Sequence, residues 1–420
     1  MTDWNRMTIA CFQLGLAEGE FSPLDWWMAC RERIDALEPD IQAWECLAPE
    51  PVITRYDGGD PYPTLCGVPV GIKDIIDTAR LPTTWGTRGY HRVNGSDMDA
   101  AVITQLSQLG ALLMGKTVST EYAYFQPSKT RNPRDPSRTP GGSSSGSAAA
   151  VAAGMVPVAL GTQTVGSIIR PASYCGVVGF KPTHGTLSVT GIKALAPSLD
   201  TLGWFTRHMD DTRTLFTTLA GSDPITILER LDGVRVGLCR LPSTPLLSSD
   251  ATAALESAAS KMTSLGAHIS SVDLGASFDN LVTHQQNILA YEAVRALASE
   301  RTHFEASMSP ALKGLLDEGQ DLSLERYWQS RQAADRARLA LSQLAERFDV
   351  ILAPSAPGVA LKGHESTGDP IYSRAWTLLG VPCVNLPLYW TPQGLPVGIQ
   401  LIADRYQDQR LLSIASALMP

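Results

Sequence analysis

Two segments of the sequence carry short motifs associated with phosphate binding or nucleophilic catalysis. Residues 110–117 read Gly-Ala-Leu-Leu-Met-Gly-Lys-Thr and fit the phosphate-loop pattern GxxxxGK[ST]. Residues 142–146 read Gly-Ser-Ser-Ser-Gly and fit the nucleophile-elbow pattern GxSxG, which would present Ser144 as a nucleophile. Both patterns are short, so the surrounding elements decide whether either chemistry is available.

The context of the two motifs argues against both functions. A phosphate loop needs a polar turn between a strand and a helix, but residues 111–114 are an apolar run that predicts a buried strand. A nucleophile elbow needs an apolar strand directly upstream, but residues 132–141 are polar and broken by three prolines. Nucleotide binding and an elbow nucleophile are therefore the weaker interpretations.

A third constellation is longer and more specific. Residues 141–150 read GGSSSGSAAA, residues 161–172 read GTQTVGSIIRPA, and residues 67–74 read GVPVGIKD. Together these segments resemble the amidase signature family, whose members hydrolyse amides with a Ser–Ser–Lys triad. The resemblance extends from about residue 65 to 187 and resumes at about 350–402. Within the family, the variants SSSGS and GTQT are most similar to the motifs of malonamidases.

The resemblance implies a role for each matched residue. Ser167 is the expected nucleophile, Ser143 the relay serine and Lys73 the base. Gly142 and Ser144 are expected to lie against the substrate. In this family the relay serine follows a cis peptide bond. The backbone amides of the second serine loop are the expected oxyanion hole: Thr164, Val165, Gly166 and Ser167.

Lys73 must be uncharged to act as a base. An unperturbed lysine has a pKa near 10.4, so a pKa about three units lower is required at neutral pH. Burial disfavours the charged ammonium, and the apolar run before Lys73 predicts burial. Asp74 follows directly, but neighbouring side chains of a strand point to opposite faces, so it need not pair with Lys73. Considered alone, this lysine would be interpreted as part of an ordinary surface ion pair.

Three positions depart from the common family pattern. Most members have an aspartate where this chain has Gln163 and an arginine where it has Ile169, and here an arginine follows one position later, as Arg170. Malonamidases share this arrangement, and their corresponding arginine holds the carboxylate of the substrate. Val165 replaces a common glycine, which would strain the backbone if the position required a positive φ.

Arg170 is the single charged residue among the forty residues 141–180. At the chain's average charged content of 18%, a stretch of this length would contain about seven charged residues. A buried guanidinium needs a partner. Two interpretations stay open: a distant acid such as Asp200 or Asp369 pairs with Arg170, or the substrate does. The second predicts a small amide that bears a carboxylate, such as a dicarboxylic acid monoamide or diamide.

Composition restricts the remaining function classes. Lys and Arg total 34 against 42 Asp and Glu, a net charge of −8 that argues against a nucleic-acid partner. The longest apolar piece, residues 148–160, is shorter than the roughly 20 residues of a membrane span. The seven cysteines are scattered, and no HxxxH or HxxH pair supports a metal site. We predict a cytoplasmic enzyme with no metal, cofactor or membrane partner; the malonamidase resemblance is consistent with a homodimer.

The elements that position these residues alternate between strands and helices. Ser22 and Pro23 predict the start of a helix that runs to about residue 37. The site itself is predicted to lie among a strand at 65–72, a helix at 147–153 and a strand at 156–160. Further elements are predicted as helices at 101–109, 251–265, 280–302 and 323–347 and as strands at 111–114, 234–238, 268–274, 350–353 and 383–388.

This alternation predicts an α/β protein: a large mixed, twisted sheet covered by helices on both faces, with a helix-rich insertion, as in the amidase signature fold. We predict a single amidase domain over residues 1–420. It would comprise an N-terminal helical segment (1–64), a catalytic core (65–205), a helix-rich lobe (206–348) and a C-terminal return to the sheet (349–420).

The function predicted from these residues is a serine amidohydrolase that releases ammonia from a small amide through an acyl-enzyme. The alternative is the amidase-like subunit of a tRNA-dependent amidotransferase, which works with partner chains and takes ammonia from glutamine. Such subunits are usually longer and keep the aspartate and adjacent arginine that this chain lacks. A binding protein on an inactive amidase scaffold is disfavoured because Lys73, Ser143 and Ser167 are all present.

Overall fold

The computed structural model describes residues 3–4, 6–51, 62–87, 96–239 and 247–419. Within these residues eleven strands form one sheet. In chain order they are β1 Trp44–Leu47, β2 Pro69–Lys73, β3 Leu112–Thr117, β4 Val158–Gln163, β5 Val178–Lys181, β6 Thr201–Thr206, β7 Arg235–Leu238, β8 His268–Ser271, β9 Val350–Pro354, β10 Cys383–Trp390 and β11 Pro396–Ile402.

Thirteen α-helices accompany the sheet in the described ranges. In chain order they are α1 Ile9–Ala17, α2 Asp25–Ile41, α3 Ala101–Gln108, α4 Ser145–Ala152, α5 Ile169–Cys175, α6 Met209–Ala220, α7 Ser249–Ser264, α8 Leu281–Ala296, α9 Ala298–Phe304, α10 Pro310–Asp321, α11 Leu324–Ala345, α12 Ile371–Leu379 and α13 Asp408–Ser416.

The strand order across the sheet is β1-β3-β2-β4-β6-β5-β10-β11-β9-β7-β8. β2 pairs in parallel with both β3 and β4, β7 pairs in parallel with β8 and β9, and the remaining pairs are antiparallel. The predicted α/β class with a large mixed sheet and helices is therefore confirmed. β7 and β8 come from residues 206–348, so the predicted helix-rich lobe also contributes two strands to this sheet.

Several predicted boundaries differ from the structure, and three of the differences concern where an element starts or whether it is continuous. The strand predicted at 65–72 begins at residue 69 and ends on Lys73 itself, because the chain turns at Gly67, where φ is +74°. The helix predicted from Ser22 begins at Asp25, and the Ser22 hydroxyl donates to the Asp25 carboxylate (2.8 Å) instead of capping the helix. The stretch predicted as one helix at 280–302 is two helices, which meet at Leu297.

The stretch at residues 141–180, in which Arg170 is the single charged residue, lies inside the protein. It comprises α4, β4, α5 and most of β5, and nearly all of its residues are buried. Small side chains in α4 allow this helix to lie close to β4 and α5. None of the described helices is both long and apolar enough to cross a membrane.

Candidate active site

Lys73 lies at the carboxyl end of β2, between two parallel neighbours, and is fully buried. Its Nζ donates hydrogen bonds to Ser143 Oγ (2.7 Å) and to Thr162 Oγ1 (2.8 Å). Thr162 lies near the corresponding end of β4. Ligand sites commonly form at the carboxyl ends of parallel strands. Here that arrangement brings Lys73 together with Ser143, which is 70 positions later in the sequence, and with Thr162, which is 89 positions later.

Burial lowers the pKa of Lys73 to about 7, and the negative charge of Asp200 partly opposes this effect. A shift of this size is what a lysine base requires at neutral pH. Part of the amine is therefore uncharged near neutral pH, so its lone pair is available to accept a proton from the Ser143 hydroxyl.

Asp74 does not pair with Lys73. Its carboxylate lies 3.5 Å from Lys116 Nζ, and both side chains are fully buried. Lys116 pairs with Ile72 in the β2–β3 register, whereas Lys73 pairs with Thr117, so the two lysines lie on opposite faces of the sheet. Lys116 also donates to the Ile76 carbonyl at 2.6 Å. The phosphate-loop motif is thus a buried strand with an internal ion pair, as its apolar sequence indicates.

Ser143 follows a cis peptide bond with Gly142, as the family resemblance implies. Its carbonyl accepts a hydrogen bond from the Thr120 backbone N–H (3.0 Å). The Ser144 hydroxyl is fully buried and donates a hydrogen bond to the Thr162 carbonyl oxygen (3.3 Å). The geometry therefore does not support the expected substrate contact of the Ser144 hydroxyl, because this group connects the start of α4 to β4.

Ser167 lies in the loop that joins β4 to α5 and is 6% exposed. The structure shows no hydrogen bond from its hydroxyl to any other described residue, and none between Ser167 and Ser143. Across the described chain, the backbone N–H groups of residues 164–167 also donate to no other group. These four N–H groups are therefore free to bind an oxyanion. Val165 is not among the residues with positive φ, so the expected strain at this position does not arise.

Gln163 shapes this loop. Its Oε1 accepts the backbone N–H groups of Ile168 (2.9 Å) and Ile169 (3.0 Å) at the start of α5. Its Nε2 donates to Thr377 Oγ1 (2.9 Å), which in turn donates to the Val165 carbonyl (2.7 Å). The neutral amide of Gln163 and the hydroxyl of Thr377 thus fix the loop without a charged pair. Ile169 has an apolar side chain that is fully buried, so it needs no charged partner.

Arg170 is 1% exposed and forms no ion pair with any described carboxylate. Its Nη2 donates to the Gly142 carbonyl (2.7 Å) and to Thr367 Oγ1 (3.2 Å), whereas Nε and Nη1 are buried without a hydrogen-bond partner. Asp200 bonds instead to the Thr164 hydroxyl (2.5 Å). Asp369 accepts the Ile371 backbone N–H (2.9 Å). Neither of the two acids predicted as possible partners therefore pairs with Arg170.

A family model named Amidase matches residues 28–412. The chain belongs to the amidase family. A glutamyl-tRNA(Gln) amidotransferase subunit from Koribacter versatilis (strain Ellin345) is 30% identical over 99% of this chain and 98% of its own length. Its counterpart from Prochlorococcus marinus (strain MIT 9313) is 32% identical over 97% of this chain and 96% of its own length. The X-ray structure of peptide amidase from Stenotrophomonas maltophilia superposes with a TM-score of 0.84, at 28% identity, covering 99% of this chain and 97% of that one.

These comparisons identify an amide-hydrolysing enzyme and confirm the amidase resemblance. The finer resemblance to malonamidases is not confirmed, since both of these sequence relatives are amidotransferase subunits. No group of three or more His, Cys, Asp or Glu side chains suited to a metal ion occurs in the part of this amidase that the structure describes.

Sequence reasoning missed several residues that surround the two serine loops. Thr162 accepts a hydrogen bond from Lys73. Thr377 accepts one from Gln163 and so helps to position the loop that carries Ser167. Ser373, in α12, packs against Gly166, where an added Cβ would lie only 3.1 Å from the Ser373 Cβ. The GTQT motif contains Thr162 and could have drawn attention to it. Ser373 and Thr377 lie about 200 residues downstream, in a helix whose sequence has no catalytic signature.

Proposed function

We propose that this chain hydrolyses the carbon–nitrogen bond of a small amide through an acyl-enzyme on Ser167 and releases ammonia. The observation that carries the proposal is the 2.7 Å contact between Lys73 Nζ and Ser143 Oγ in a fully buried site. A buried lysine with a pKa of about 7 beside a serine hydroxyl is a base suited to neutral pH.

The proposed reaction begins when the neutral amine of Lys73 takes the proton of Ser143, which takes the proton of Ser167. The Ser167 oxygen attacks the amide carbonyl, and the unoccupied N–H groups of residues 164–167 bind the resulting oxyanion. The proton returns through Ser143 to the leaving nitrogen, so that ammonia departs and an ester to Ser167 remains. A water molecule, deprotonated by the same relay, hydrolyses this ester and releases the carboxylic acid.

The proposed role of Lys73 predicts how activity depends on pH. The protonated amine cannot accept a proton, so kcat/KM should be low below the pKa of about 7 and should rise to a plateau above it. The measurement is initial ammonia release from pH 5 to 9 at substrate concentrations well below KM. A profile that is flat through this range, or that rises only near pH 10, would contradict a buried lysine base.

We further propose that the amide carries a carboxylate that binds Arg170. Its buried Nε and Nη1 have no hydrogen-bond partner, and a charge in this position requires one. For Arg170→Ala, KM for a carboxylate-bearing amide should rise by about 10- to 100-fold, the range of a charge-assisted hydrogen bond. KM for a neutral amide of the same length should change much less. Equal losses with both substrates would show that Arg170 supports the fold instead.

The relatives favour a second setting for the same chemistry, in which the chain serves as the amidase subunit of an amidotransferase. The supporting observation is 30–32% identity to the two amidotransferase subunits over nearly the full length of both proteins. Glutamine, the ammonia donor in this setting, also bears a carboxylate, so Arg170 is compatible with either setting. The comparisons favour this setting over a malonamidase-like one, whereas Gln163 and Ile169 favour a stand-alone enzyme.

One experiment separates the two settings. The purified chain is assayed for ammonia release from glutamine, from dicarboxylic acid monoamides and from neutral amides, without any other protein. Rapid release from free acidic amides would support the stand-alone enzyme. Slow release that increases after addition of proteins co-purified from the source cells, with glutamine as the preferred amide, would support the amidotransferase setting. No release under either condition would contradict the proposed function. A homodimer stays a prediction.

A further inference from the structure

Two arginines are buried in the part of the chain that the structure describes, and they lie in the same region. Arg170, in α5, is 1% exposed, and Arg374, in α12, is 8% exposed. Neither forms an ion pair with a described carboxylate, whereas the ion-paired arginines among the described residues are all more exposed. Because burying a charge without a counter-charge is costly, the pair is suited to bind an anion that the described residues do not supply.

Both guanidinium groups flank a single aromatic ring. The Phe125 centroid lies 5.8 Å from Cζ of Arg170 and 5.9 Å from Cζ of Arg374. Arg374 Nη1 donates to Gln285 Oε1 (2.6 Å). Asp369 is the acid that acts on both arginines, but it is exposed and engaged by the backbone N–H of Ile371. One exposed carboxylate does not neutralise two buried cations.

The two arginines adjoin the loops that carry the proposed triad. Arg170 Nη2 bonds to the carbonyl of Gly142, the residue before Ser143. Arg374 follows Ser373, whose Cβ lies against Gly166 and whose buried hydroxyl has no hydrogen-bond partner. Four buried polar atoms around these loops are left without a partner: Arg170 Nε, Arg170 Nη1, Ser373 Oγ and Thr120 Oγ1. Unpartnered polar atoms that converge on one place are typical of a ligand site.

We infer that Arg170 and Arg374 form one anion site, which binds the carboxylate end of the amide substrate, and that Arg374 is a second specificity-determining residue. The inference rests on the proposed function and extends it. Both arginines would select amides of dicarboxylic acids, because two buried cations beside one aromatic ring favour a negatively charged group on the substrate. Arg374→Gln should therefore weaken binding of small dicarboxylates, and Arg374→Lys should restore part of the affinity.

The test is calorimetric titration of malonate, a dicarboxylate that needs no hydrolysis to bind. Arg374→Gln should weaken binding at least about 10-fold, in the range of a lost charge-assisted hydrogen bond. The matched control is Arg336→Gln, which removes an exposed arginine from α11 and should bind malonate as the unmodified chain does. Unchanged affinity in Arg374→Gln, or equal weakening in the control, would overturn the inference.

A second pair of variants separates substrate binding from support of the loop. Gln285 Nε2 donates to the Thr164 carbonyl (3.3 Å), so Arg374 could act only by holding Gln285. In that case Gln285→Ala would reproduce the effect of Arg374→Gln with acidic and neutral amides alike. The inference instead predicts that Arg374→Gln raises KM chiefly for acidic amides, with kcat changing less. If malonate binds through both arginines but no amide is hydrolysed, the anion site stands, whereas its role in amide selection fails together with the proposed function.

Discussion

Ser167→Ala should lower kcat by about 10⁴-fold or more, because removal of the nucleophile leaves only the residual catalysis of the oxyanion hole and substrate binding. The exchange deletes one hydroxyl oxygen that forms no hydrogen bond with any other described residue. The free energy of unfolding should therefore change little. Ammonia release measures the loss, and thermal unfolding together with malonate binding shows whether the fold and the pocket are intact.

Ser144→Ala is the informative companion variant. The Ser144 hydroxyl bonds to the Thr162 backbone, whereas Lys73 donates its hydrogen bonds to Ser143 and to the Thr162 hydroxyl. If Ser167→Ala remained active while Ser144→Ala lost turnover, the nucleophile would be the central serine of the GxSxG motif, and the assignment of Ser167 would be wrong.

Lys73→Met should lower kcat/KM by about 10²- to 10⁴-fold, the range attributed to a positioned general base. Methionine has a similar length and no charge to bury, so the variant should fold. The remaining activity should also lose the rise near pH 7 that the Lys73 amine produces. Ammonia release across the pH range tests both expectations in one series.

Lys181→Met is the matched control for this variant. Lys181 is equally buried, and burial likewise lowers its pKa, but its Nζ bonds to the carbonyls of Val381 (2.6 Å) and Pro182 (3.0 Å). Its loss should lower stability by about 1–3 kcal/mol, because buried carbonyls lose their donor, and should preserve the pH dependence of turnover. A Lys73→Met variant that kept near-normal activity and the rise at pH 7 would contradict the base assignment.

The sequence predicts the fold class because strand and helix signals alternate along the chain, and the mixed sheet confirms it. β6, Thr201–Thr206, is not predicted because Gly203 and the threonines at both ends interrupt its apolar residues, so the sequence has neither a continuous apolar run nor a regular alternation. The predicted start of β2 is wrong because an apolar run does not reveal the turn at Gly67.

For the candidate site, the motifs predict which serine and lysine side chains belong together, and the Lys73–Ser143 contact agrees with them. The motifs do not predict which side chains share the pocket from distant segments. Arg374 and Gln285 lie in helices with ordinary amphipathic sequences, and their proximity to Arg170 depends on how α8 and α12 pack. The partner of Arg170 therefore cannot be predicted from the sequence.

The most direct test of the central claim is to find where an activated-serine reagent attaches. The purified chain is treated with a fluorophosphonate, digested and sequenced by mass spectrometry, alongside Lys73→Met and Ser143→Ala. We predict one added phosphonyl group on Ser167, formed much more slowly in both variants. Attachment to Ser144 or Ser143, or labelling of Ser167 at the same rate in all three proteins, would contradict a nucleophile activated through Ser143 by Lys73.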